Sequence, residues 1–258
     1  MSKRIVGLVA VLLVVFSAPV ALSQMEQAHP VYTYVSMFQV PRAQWAQYAE
    51  ETEKNANPIF EHSLVDGTII GWGNYENIVH TPEGMTNGVW WSSTNLAGIT
   101  RVLDELRKGG PRPGQIAATK HEDYLMRSIY AHTTTVSGGG SGYLRVNCTL
   151  AQPGKADDFV ATIKKYLGGT FEEQFKKGVA TSYGMDEQYV FNGPGSMRCT
   201  VVTFSNAENM NKWADAIAAR IASMSPDERK GWQEGLLSTT EPNSRRDMLA
   251  RITHSAHK

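Results

Sequence analysis

The chain has 258 residues, with 25 Lys and Arg balanced by 25 Asp and Glu. A net charge of zero gives no cationic field for nucleic acid, which is excluded as a partner, and no polybasic cluster for a membrane surface. Two cysteines are too few for a disulfide scaffold or a Cys-rich metal site.

Lys3 and Arg4 precede an uncharged, mostly aliphatic run from Ile5 to Phe16, and the small residues Ala21 and Ser23 stand before Gln24. That order is that of a secretory signal peptide, expected to span residues 1–23 and to send the protein to a periplasmic or extracellular location. The competing reading is an uncleaved anchor, because Ile5 to Leu22 is just long enough to span a bilayer. Pro19 and the Ser/Ala-rich end favour cleavage, and no second long apolar run follows. No membrane contact is therefore expected once the leader is removed.

Residues 31–40, rich in Tyr, Thr and Val and stopped by Pro41, read as a strand. Trp45, Tyr48, Ala49 and Thr52 then recur at helical spacing over 42–60. Strands follow at 68–75 and 88–93, a helix at 96–108 with Asn95 close to its start, and a fourth strand at 124–131. A Ser-Gly-Gly-Gly-Ser-Gly segment within 133–142 has the composition of a flexible linker. The order then repeats: strand 143–151, helix 156–177, strands 179–188 and 197–204, helix 207–224 starting near Asn206, and strand 248–253.

The repetition is also in the residues. At a constant offset of 111, Tyr32 meets Tyr143, Tyr48 meets Phe159, Phe60 meets Phe171, Gly67 meets Gly178, and Trp72-Gly73 meets Tyr183-Gly184. Asp123-x-Leu125-x-Arg127 recurs as Asp247-x-Leu249-x-Arg251, at an offset of 124. The second copy thus carries 13 more residues (124 − 111) before its last strand, around Ser225-Pro226-Asp227-Glu228, where Ser, Pro and Glu fit the cap and first turn of an extra short helix.

The fold class is α+β: two ferredoxin-like β-α-β-β-α-β repeats, 29–132 and 143–254, joined by the Gly/Ser linker. Such a repeat covers one sheet face with helices and leaves the other open. Alternation assigns Val35, Met37, Leu144, Val146, Cys148 and Leu150 to the helix-covered face. The open face receives Tyr32, Tyr34, Ser36 and Phe38, with Tyr143, Arg145, Asn147 and Thr149. Packing the two open faces together closes an α+β barrel within one chain.

Two such copies with aromatic-rich open faces resemble the dimeric α+β barrel superfamily in a tandem fused form. That superfamily includes antibiotic-biosynthesis-type monooxygenases, NIPSNAP-like proteins, haem-degrading enzymes and chlorite dismutase-like proteins. The resemblance covers about residues 30–254 and is one of topology and repeat. It implies a small-ligand site, and haem as an alternative cofactor; none is called for by the residues themselves. A homodimer is a further possibility. Fold alone leaves function open.

Among seven histidines no zinc-ligand spacing occurs. His80, in the turn before Thr81-Pro82, is the candidate acid/base or haem ligand; the bland alternative is a solvated loop histidine. Arg127 and Arg145 are candidates to clamp a carboxylate, against an internal ion pair of Arg127 or Arg251 with Asp123 or Asp247. Tyr34, Trp72 and Trp90, with Tyr32, Trp91 and Tyr143, offer a wall for a small apolar or aromatic molecule, or plain packing. The second copy has Val201-Val202 in place of Trp90-Trp91, so the first copy is the one to hold a pocket. Strands one and three of a repeat are antiparallel neighbours, so Cys148 and Cys199 can form a disulfide, the alternative being a free buried Cys148. Three functions remain open: an exported small-ligand binder with monooxygenase-like activity, a haem-binding relative of the chlorite dismutase-like group, and a non-enzymatic envelope protein.

Overall fold

The computed structural model describes residues 30–80, 84–110, 112–190 and 196–258, without the side chains of 136–139. The expected leader lies outside the described residues. The first half runs β1 (Tyr32–Gln39), α1 (Trp45–Glu51), a π-helical turn (Thr52–Ala56), α2 (Asn57–Val65), β2 (Gly71–Asn77), β3 (Asn87–Ser93), α3 (Leu96–Lys108), α4 (Pro113–Ile116) and β4 (Lys120–Thr133). The second runs β5 (Val136–Ala151), α5 (Ala156–Ile163), a π-helical turn (Lys164–Gly168), α6 (Gly169–Lys176), β6 (Ser182–Gln188), β7 (Ser196–Phe204), α7 (Ala207–Ala222), α8 (Pro226–Thr239) and β8 (Arg246–His257).

The two halves start and stop their elements with the same chemistry. Asn95 caps α3 by accepting from Gly98 N at 2.8 Å, and Asn206 caps α7 by accepting from Asn209 N at 2.9 Å. Gly67 and Gly178 follow α2 and α6 with φ of 81° and 71°, the left-handed conformation that closes a helix end without a Cβ penalty. The extra helix is α8, with a reciprocal capping box between Ser225 and Glu228 and Pro226 in its first turn.

Among the described residues, eight strands form one closed antiparallel barrel in the order β1-β3-β2-β8-β5-β7-β6-β4. Each half contributes four consecutive staves, and the seams are the β2–β8 and β4–β6 pairings. One chain therefore closes the barrel by itself, with no second copy required.

Two expectations are corrected by this arrangement. The segment expected as a flexible linker is largely strand: β4 runs to Thr133 and β5 starts at Val136. Gly140 and Gly142 pair with Ser255 and Ile252 of β8, through irregular register. A Cβ on Gly142 would stand 2.1 Å from Phe204 O, so glycine here serves the close approach of β5 to β7 rather than flexibility.

The assignment of faces is reversed. Residues directly opposed on neighbouring strands share a face. Tyr34 opposes Trp91 on β3, and Trp91 packs with Phe60 of α2 and with Ile99 and Val102 of α3, so the aromatic set lies under the helices. Tyr183, Val202 and Phe204 likewise meet Phe171 and Trp213 in the second half. The aliphatic set points inward: Met37, Leu144, Val146 and Val201 pack with Trp90, Tyr75, Met248, Ala250 and Ile252 inside the barrel. Converging barrel walls leave little width, and small partners create it. A Cβ on Gly73 would lie 2.1 Å from the Trp90 ring. Both faces of these strands are apolar enough to be buried, so alternation alone does not say which one the helices take.

Candidate functional site

Between the outer face of the first half-sheet and its helices lies a cavity of about 340 Å³. That is near the lower end of the roughly 300–1,000 Å³ range of small-molecule sites. Its floor comes from two adjacent strands. Tyr34, Ser36 and Phe38 of β1 oppose Leu125, Asp123 and His121 of β4, so all six share the helix-facing side. Val89 and Trp91 of β3 extend the floor. The roof is Tyr48, the π-helical turn through Thr52 and Ala56, Phe60, and Leu103 and Leu106 of α3. Arg107, Gly110, Arg112 and Gln115 complete the lining.

The aromatic wall is layered. Tyr34 stacks on Trp91 at 4.6 Å and 27°, and Trp91 meets Phe60 at 5.5 Å. On the other side Phe38 stacks on the His121 ring at 4.4 Å and 5°. Polar groups converge between these walls. His121 Nε2 lies 2.9 Å from Ser36 Oγ and 3.0 Å from Asp123 Oδ1. The Tyr34 hydroxyl donates to the Asp123 carboxylate. Burial first, and then this carboxylate, hold the Tyr34 phenol well above its ordinary range, so it acts as a donor rather than a base. The Thr52 hydroxyl is spent on Tyr48 O at 2.8 Å.

This geometry defines what the cluster can do. Ser36 and Asp123 meet the same imidazole nitrogen, whereas a hydrolytic triad needs the serine and the carboxylate on opposite nitrogens. Ser36 Oγ and His121 Nε2 share one hydrogen bond, whose donor depends on which imidazole nitrogen carries the hydrogen. The arrangement suits proton transfer and hydrogen bonding to a flat ligand.

Of the residues singled out from sequence, Tyr34 lines the cavity. Trp72 is one layer behind, fully buried between Phe60 and His254, with ring centroids at 5.3 and 5.0 Å. Trp90 faces the barrel interior beside Tyr75. Arg127 does not pair with Asp123; it sits at the β4–β6 seam, bonded to Glu187 through Nε at 2.6 Å and through Nη2, and lies over the Tyr189 ring. Arg145 is on the outer face of the second half, opposite Val202. His80 is exposed, edge-on to Trp45 at 5.5 Å, and is not among the lining residues. Cys148 and Cys199 form a disulfide inside the barrel. Sequence reasoning passed over Ser36, His121 and Asp123 as a group. The available signal was the alternation itself, had β4 been started at Lys120 instead of residue 124.

In the second half the same layer is filled. At the constant offset, Ile163 and Leu167 replace Thr52 and Ala56, and Trp213 replaces Val102. Phe171, Tyr183, Phe204 and Trp213 pack ring against ring there, with Phe171 and Trp213 at 5.0 Å. This packing leaves no room for a macrocycle between sheet and helices. In the first half the Nε2 of His121, the histidine lining the cavity, is engaged by Ser36 and Asp123. These residues do not fit haem. Among the described residues no group of three or more His, Cys, Asp or Glu is arranged to hold a metal ion.

No protein-family model and no curated protein matches the sequence. Solved structures do match along most of the chain. A candidate monooxygenase from Fusobacterium nucleatum subsp. nucleatum ATCC 25586 aligns with TM-score 0.65 at 11% identity, covering 90% of this chain and 96% of its own. One from Lactobacillus acidophilus NCFM aligns with TM-score 0.60 at 13% identity, covering 89% and 96%. An anthrone oxidase-like protein aligns with TM-score 0.56 at 9% identity, covering 90% and 94%. At such identities the likeness is one of fold.

Proposed function

We propose that the first half binds a small planar aromatic molecule carrying an acidic hydroxyl, and that this site supports monooxygenase-like chemistry. The observation that carries the reading is a single cavity in which the Tyr34–Trp91 stack faces the joined polar set of Ser36, His121 and Asp123. A flat ring stacks on Tyr34, and its hydroxyl reaches the His121 imidazole or the Asp123 carboxylate, which takes the proton. The resulting phenolate or enolate is electron-rich and is itself the reductant for dioxygen. A ring carbon opposite the hydroxyl bonds to one oxygen atom and loses its hydrogen, and the ligand ends as the quinone. The second oxygen atom leaves as water with that hydrogen and the hydroxyl proton, so the ligand supplies all four electrons and no redox group is needed from the protein. Arg107, in the lining and close enough to favour the ionised Tyr34, also favours an anionic ligand. Neighbouring folds described as monooxygenases and as anthrone oxidase-like support the same class. The leader-like order of residues 1–23 and the disulfide support a place outside the cytosol.

The test is tryptophan fluorescence and oxygen uptake with a series of hydroxylated naphthalenes and anthracenes. Quenching that saturates, and is lost in Asp123→Ala and His121→Ala, is the expected result. Saturable binding without oxygen uptake reduces the site to a binder. No binding to any member of the series leaves the non-enzymatic envelope reading in its place.

A further inference from the structure

The second half holds, inside the barrel, a group of residues that its twin lacks. Cys148 on β5 and Cys199 on β7 are directly opposed and joined as a disulfide. Cys199 is 3% exposed while Cys148 is half-buried, so the two sulfurs differ in access. On the far side of Cys199, β6 places Asp186 directly opposite it. Opposed residues on antiparallel strands have Cβ atoms about 4.5–5.5 Å apart on one face. Ser128 Oγ donates to Asp186 Oδ1 at 2.7 Å, and Oδ2 accepts no hydrogen bond from a described residue.

At the equivalent positions the first half carries Met37, Gly88 and Tyr75, with the phenol resting against the glycine, and it forms the same four staves without such a bridge. A carboxyl turned into the barrel and partly buried there is costly where structure is the sole purpose. Next to a sulfur it has a use, because a departing thiolate needs a proton.

We propose that Cys148–Cys199 is a redox-active pair that exchanges with a dithiol reductant, with Asp186 as the proton donor to Cys199. A thiolate of the reductant attacks Cys148 Sγ, and the Cys148–Cys199 bond breaks. The electron pair leaves on Cys199 Sγ, which takes the Asp186 proton. The reductant's second sulfur, deprotonated by solvent, attacks the mixed disulfide and frees Cys148, which is protonated from water, as is Asp186 in turn. The protein disulfide is reduced by two electrons and the dithiol is oxidised to a disulfide. Burial, opposed by the Ser128 bond, pushes the Asp186 carboxyl up to about 6, which keeps the proton available. Tyr130, the titratable group Asp186 acts upon, is held protonated by its own burial. Tyr124 and Glu122 lie toward the start of β4. Arg246, opposite Cys148 on β8, turns its guanidinium onto the carbonyls of Asn243 and Arg245 at 3.0 and 2.9 Å.

The experiment is reduction of the folded full-length protein by dithiothreitol, with free thiols alkylated and counted by mass. The expected rate is first order in reductant without a ceiling. Expressed per reductant thiolate, the rate constant falls as pH rises through about 6, where Asp186 loses its proton. Asp186→Asn slows the step by about tenfold or more and removes that pH dependence. A rate that levels off at the rate of global unfolding overturns the proposal, as does a wild-type rate constant with no pH dependence. The wild-type profile decides the matter even if the variant does not fold.

Discussion

The two halves share one topology and differ in what lies between sheet and helices. In the first half the π-helical turn presents Thr52 and Ala56, α4 is a single turn, and a cavity remains. In the second half the matching turn presents Ile163 and Leu167, Trp213 fills the centre, and α8 packs over α5 with Trp232 against Tyr166 at 5.8 Å. Three side chains and one helix length separate a site from a core. The polar triplet survives the change. Ser36, His121 and Asp123 correspond to Asn147, Arg245 and Asp247, which also bond to one another but in the open. A polar cluster on this face is thus part of the repeat, and the cavity above it makes the difference.

The largest effect is expected where the layer is full. Trp213→Ala should cost about 3–5 kcal/mol in denaturant unfolding, since Trp213 is 4% exposed among rings with no room to collapse. Leu103→Ala, on a wall that already borders space, belongs at the low end of the roughly 2–5 kcal/mol range for such truncations. Equal losses at the two sites would erase the contrast. The converse graft, Ala56→Leu, introduces the second half's residue into the first. It should abolish uptake of aromatic ligands while changing stability by about 1–3 kcal/mol or less, read by fluorescence titration and thermal melting.

The barrel interior gives a pH-dependent difference. Asp186 has a raised folded-state pKa of about 6, so the native chain holds a proton that the unfolded chain releases near pH 4. Stability should therefore fall as pH rises from about 4 to about 6 and then level. Asp186→Asn removes this component. A wild-type profile that instead rises across the window because of this residue would contradict its placement.

The smallest effect is at the seam. Arg127→Ala should cost less than about 1 kcal/mol, because Arg127 is 45% exposed in its pair with Glu187. Glu187→Gln should cost more by the same denaturation assay, since Glu187 also meets Arg198 at 2.8 Å and that side chain is only 7% exposed.

How much of this was legible in the sequence depended on whether a signal was local. The offset of 111, the Asn95 and Asn206 caps and the Ser225–Glu228 box are local, and they gave the order of elements. The opposition of Cys148 and Cys199 needed only the topology of a single repeat. Which face of β1 meets the helices is set by barrel closure, a contact between residues far apart in the chain. Tyr34 and Val35 are both fit for burial, so nothing nearby ranks them. His121 and Asp123 were lost because four more residues of β4, Lys120 to Asp123, are strand only through pairing with β1. The glycines at 140 and 142 read as slack because composition does not register the Phe204 carbonyl packed against one of them.

The most direct test is an NMR titration of the six indole N–H signals with a dihydroxynaphthalene. The account predicts that the Trp91 signal shifts with saturation while Trp90 and Trp213 stay in place. Movement of Trp90 would put the ligand inside the barrel, and movement of Trp213 would put it in the second half; either result contradicts a single site beneath the first half's helices.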